Sequence, residues 1–115
     1  MDETTAQLEE ISEGMKKFKE EVVTGESLAR LMKNKDFKKI ILDFFLADRV
    51  DELLRQKCDP DRQHEMEQAY IDKGIVACGY LAQFFEEVKL MSAKAKTSLE
   101  SYEATRNDIL EEGEV

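Results

Sequence analysis

The stretch Cys58–Gly113 reads CDPDRQHEMEQAYIDKGIVACGYLAQFFEEVKLMSAKAKTSLESYEATRNDILEEG, and its reading decides the fold. Asp59 suits an N-cap, and Pro60 suits the first helical position, where no amide donor is needed. No strong break follows until Gly113, so the pattern predicts one helix over 59–112, about 50 residues or about 75 Å at the standard rise. Within it Leu81, Phe84, Val88, Ala95, Leu99, Tyr102 and Ile109 keep mostly to heptad spacing, with Met91 out of phase. Gly74, Ala77, Cys78, Gly79 and Ala82 form a patch of small side chains suited to close helix approach and a local kink.

Working back from Cys58, the segment Phe37 to Lys57 is unusually apolar. Phe37, Ile40, Ile41 and Phe44 mark one face, and Leu42, Phe45, Leu46 and Leu53 mark another. A single neighbour cannot cover both faces, so the helix is expected to be central to a bundle or to offer its second face to another chain. Before it, Asn34-Lys35-Asp36 offers a break and a fresh cap, and Ser27 can cap a short helix carrying Leu28, Leu31 and Met32. At the amino end Leu8, Ile11, Met15, Phe18 and Val22 recur in steps of three and four and draw one apolar stripe. Gly14 weakens that helix by about 1 kcal/mol relative to Ala. Thr24-Gly25 is the expected stop, with Gly25 free to take the left-handed conformation that closes a helix.

The fold class that follows is all-α: a small helical bundle with a long carboxy-terminal helix and coiled-coil-like terminal segments. Residues 1–115 are read as one domain, with an amphipathic helix over 1–24, apolar central helices over 26–57 and the long helix over 59–112. The composition agrees, with 37% charged residues, five glycines and one proline. So little turn-forming punctuation excludes a many-turned β fold.

The net charge is −9. Asp2, Glu3, Glu9, Glu10 and Glu13 lie before the first base, and Asp108, Glu111, Glu112 and Glu114 lie after the last. These clusters account for the whole surplus, so the body between them is neutral. Two distant cysteines, an acidic polar amino terminus and no apolar run long enough for a bilayer point to a cytoplasmic protein without membrane attachment. If the gene is viral, its place is the host cytoplasm or the virion.

Residues that could carry chemistry do not converge. His64 has Glu67 one turn on and Cys58 before it, yet the spacing matches no zinc pattern. Gly74 and Gly79 lack the Lys-Ser/Thr that completes a phosphate loop. Adjacent carboxylates such as Glu86-Glu87 point about 100° apart on a helix. The expectation is therefore no catalytic residue, no metal, no cofactor and no small-molecule substrate. Arg30, Lys33, Lys35, Lys38 and Lys39 form one basic stretch, but Asp36 lies within it and the surroundings are acidic, so nucleic acid is disfavoured as a partner.

The stretch Leu28-Ala29-Arg30-Leu31-Met32-Lys33-Asn34-Lys35-Asp36-Phe37-Lys38-Lys39-Ile40-Ile41-Leu42-Asp43, continuing through Asp59-Pro60 to Phe84-Phe85, resembles small acidic helical proteins of tailed bacteriophages. The resemblance covers about residues 26–90, centres on a short Asn-x-Asp-Phe-Lys-like phrase, and implies an accessory or virion-assembly protein that acts by contact. Two partner classes then follow. A protein partner or a second copy would be met through Leu8, Ile11, Met15, Phe18, Leu42, Phe45, Leu46, Leu99 and Tyr102, making the protein a homo-oligomer. Alternatively, Glu9, Glu10, Glu13, Glu111 and Glu112 would act as phosphate surrogates, and the protein would inhibit a basic nucleic-acid-processing protein.

Overall fold

A computed structural model describes residues 3–113, and among these the chain is helical with no strand. Helix α1 spans Glu3–Lys33, the single turn α2 spans Lys35–Phe37, a widened π-helical segment spans Lys38–Asp48, α3 spans Arg49–Cys58 and α4 spans Glu65–Gly113. A 3₁₀ turn at Pro60–Arg62 stands between α3 and α4. The described residues divide into two compact units: those up to Ser27 with those from Val88 onward, and Leu28–Glu87. Both divisions fall inside helices, within α1 and within α4.

In the first unit α1 and the carboxy-terminal part of α4 run antiparallel. Gly14 faces Tyr102 while Gly25 faces Ser92, and the ring of Phe18 meets that of Tyr102 edge-on at 5.4 Å and 74°. Gly25 is therefore no stop, and α1 continues past it to Lys33 rather than ending at 24 and restarting at 26. It has no positive φ. What glycine supplies there is closeness, since a Cβ would fall inside the van der Waals radii of the Ser92 Oγ and Cβ atoms. Met15, Val88, Ser92 and Ala95 are the buried residues of this unit.

In the second unit the segment after Asn34 runs antiparallel to the amino-terminal part of α4. Phe37 meets Phe85 edge-on at 5.8 Å, the Cys78 thiol donates to the Phe45 carbonyl at 3.5 Å, and Leu53 lies over Gly74. Lys57 forms an ion pair with Asp72 whose partners are 41% and 53% exposed, worth at most about 1 kcal/mol in water. Leu28, Leu53, Ile71, Cys78 and Phe85 are the buried residues.

The expected two-faced α-helix is instead an 11-residue π-helical segment whose last carbonyls bond five residues on, as when the Arg49 N–H donates to the Phe44 carbonyl. In Ile40-Ile41-Leu42-Asp43 followed by Phe44-Phe45-Leu46-Ala47, the apolar positions repeat every four residues. A repeat of four falls between the 3.6 residues of an α turn and the longer π turn, so neither winding holds it strictly in line. Ile41, Leu42, Phe45, Leu46 and Val50 all become half-buried against their own chain, and Ile40 and Phe44 stay outside, 56% and 59% exposed.

The turns are built from side chains. Asn34 Oδ1 accepts from the amides of Asp36 and Phe37, both at 3.0 Å. Asn34→Ala orphans both donors and is expected to cost about 1 kcal/mol in urea unfolding, with Asn34→Asp near wild type; equal stability of the Ala variant would show the cap to be idle. Asp59 caps only the 3₁₀ turn, accepting from the Asp61 amide at 2.9 Å. The long helix consequently begins at Glu65 rather than at 59, with His64 Nδ1 accepting from the Met66 amide at 3.2 Å. The side-chain amides of Gln63 and Gln68 donate to the Lys57 carbonyl at 3.0 and 3.1 Å, closing the end of α3.

Candidate interaction surface

The nine residues expected to meet a partner are engaged within the chain. Met15 is buried, and Leu8, Ile11, Phe18, Leu99 and Tyr102 are half-buried in the first unit. Leu42, Phe45 and Leu46 are half-buried in the second, where the widened helix turns them inward. The five acids of the alternative reading, Glu9, Glu10, Glu13, Glu111 and Glu112, are exposed. Glu13 shares an open depression of about 320 Å³ with Lys16, Lys19 and Arg106, so three cations stand beside it.

Two of the candidate reactive groups are spent on structure. His64 caps α4, and the Cys78 thiol, buried, is committed to a backbone carbonyl. Cys58 is exposed at the end of α3. Among the described residues no three His, Cys, Asp or Glu side chains are grouped to hold a metal ion, and no helix is long and apolar enough to cross a membrane.

What stands free is the outer face of α4 in the second unit. Met66, Tyr70, Val76, Tyr80 and Phe84 are 77%, 73%, 54%, 69% and 55% exposed. With Lys73 and Glu87 they occupy an arc of about 120° at 3.6 residues per turn, opposite the buried line of Ile71, Cys78 and Phe85. The five apolar side chains present on the order of 700 Å² to solvent, taking whole aromatic side chains at about 200 Å² each. Together they form an exposed apolar strip along the helix, interrupted by Lys73.

The heptad reading had placed Phe84 inside. Its neighbour Phe85 takes that position, because the inward line advances by sevens from Ile71 through Cys78 to Phe85. Phe84 packs beside Phe85 at 6.1 Å, tilted by 51°, and turns outward. The small-residue patch also divides: Gly74 admits Leu53 at 3.0 Å from where a Cβ would sit and Cys78 is buried, whereas Ala77, Gly79 and Ala82 are exposed. The signal that sequence reasoning passed over was a second set of three- and four-residue steps, running from Met66 to Glu87 on the back of the first. Compared with known proteins, the chain matches no protein-family model, no curated protein and no solved structure.

Proposed function

We propose that this protein is a non-enzymatic assembly protein that works by contact and self-associates as a homo-oligomer. The observation that carries the reading is the exposed apolar face of α4 from Met66 to Phe84. Surface of this kind is costly to leave in water, at about 25 cal/mol per Å², and association is the ordinary way to remove it. The likeness of residues 26–90 to phage accessory proteins supports a role in building or completing a virion, in the host cytoplasm or the particle itself. The acidic-mimic alternative draws less support, since Lys16, Lys19 and Arg106 interrupt the acidic surface at Glu13.

Light scattering across a concentration series tests the reading. The wild type is expected to exceed the monomer mass, and Tyr80→Glu with Phe84→Glu is expected to raise the dissociation constant at least about 100-fold, because a symmetric contact feels each substitution twice. Circular dichroism should be unchanged, both side chains being outside the core. A wild type that stays monomeric at about 1 mM, where only the weakest contacts are missed, overturns the proposal.

A further inference from the structure

We propose that the α4 face of Lys73 to Glu87 pairs with the same face of a second copy, antiparallel, about a two-fold axis that passes at Tyr80. The inference rests on the contact reading above and adds its partner, direction and register. Its basis is the order of residues on either side of Tyr80. Val76 lies four before it and Phe84 four after; Lys73 lies seven before and Glu87 seven after. All five are exposed on the same arc.

In an antiparallel pair centred on Tyr80, a residue some number of places before the axis faces the residue the same number of places after it on the other copy. Val76 then meets Phe84 of the partner subunit, and Lys73 meets Glu87 of the partner subunit. By symmetry each pairing occurs twice, so an apolar centre is flanked by two ion pairs. This is the self-complementarity that a closed dimer demands.

Two other arrangements of the same face lose these ion pairs. A parallel, in-register pair sets Lys73 against Lys73 and Glu87 against Glu87. An antiparallel axis moved one turn toward the amino end sets Lys73 against Tyr80 and Glu87 against Met66, so neither ion pair forms. Within the chain neither Lys73 nor Glu87 has an ion-pair partner among the described residues, so both are available.

Charge exchange on the full chain tests the register. Lys73→Glu alone and Glu87→Lys alone each place two like-charged pairs in the dimer, and each is expected to weaken it at least about tenfold. An equimolar mixture of the two variants contains only opposite pairs, so it should form a heterodimer within about threefold of wild-type affinity, and so should the chain carrying both substitutions. In a Cys58→Ser background, Tyr80→Cys should cross-link to itself under mild oxidation, since the axis brings the two side chains together. A wild-type dimer whose charge variants show no rescue on mixing, and whose Tyr80→Cys form does not cross-link, overturns this register while leaving the contact reading standing. A chain monomeric at about 1 mM defeats both.

Discussion

Ile71→Ala is expected to lower the stability of the protein by about 2–5 kcal/mol, the range for removing a buried branched side chain and leaving its space partly empty. Ile71 is 2% exposed and has the largest fully buried side chain of the described residues. It lies one turn before Gly74, where the absence of a side chain lets Leu53, also 2% exposed, lie against the helix. Ile71→Val removes one methylene and should cost about 0.5–1.5 kcal/mol, so the two variants form a graded series. Urea unfolding should show midpoints falling in that order with an unchanged slope. A domain of this size has a total of about 5–15 kcal/mol to lose, so the Ala variant could already be partly unfolded at 37 °C. A Tyr70→Ala control on the exposed face should move the monomer's midpoint by less than about 0.5 kcal/mol; if Ile71→Ala does no more than that, the second unit does not have the core described above.

The second large effect concerns two glycines whose substitution by the same residue is expected to act with opposite sign. Gly25 and Gly79 both lie in helix interiors, where Ala is intrinsically favoured by about 1 kcal/mol. At Gly79 a Cβ meets nothing within 4 Å, so Gly79→Ala should stabilise the monomer by about 0.5–1 kcal/mol. At Gly25 the same Cβ would overlap Ser92, whose short side chain is itself buried and cannot swing away. Gly25→Ala should therefore be destabilising despite its gain in propensity, and Gly25→Leu should cost about 3 kcal/mol or more by forcing the two helices apart. Thermal denaturation of the three variants decides the matter. A stabilised Gly25→Ala would mean that α1 and α4 do not approach at that level.

These two glycines also show where the sequence was legible. Along α4 the line Leu81, Val88, Ala95, Tyr102 and Ile109 could be read directly, since a step of seven leaves little doubt about the face, and the structure has each of them buried or half-buried. Phe84 stands on the heptad line by spacing but Phe85 is the buried one, because both are equally apolar and one step of 100° separates inside from outside. Gly25 was misread for a related reason. Glycine ends a helix through a local preference, but it also permits a close crossing, and the partner in that crossing, Ser92, lies 67 positions away and has no trace in the local pattern. The caps at Asn34 and Asp59 were legible because their chemistry is local, although Asp59 served a three-residue turn rather than the long helix.

The same contrast governs the interaction surface. The apolar residues chosen from sequence were those with the clearest periodicity, and clear periodicity is what a chain needs to fold on itself. Leu42, Phe45, Leu46 and Tyr102 were consumed in that way. The face left for others carries a weaker pattern, interrupted by Lys73 and Glu87, and those interruptions hold the information about register.

The π-helical segment from Lys38 to Asp48 has one more consequence. A turn closed over five residues holds one residue beyond what an α turn requires, so removal of a residue from such a turn restores ordinary α spacing without altering the phase of the elements on either side. Eleven residues of this geometry make the segment a length reservoir between the Asn34 cap and α3. Relatives of this chain should tolerate gains and losses there that would scramble the facing of α1 or α4, and a gap in an alignment at Lys38–Asp48 would mark a change in winding rather than a change in fold.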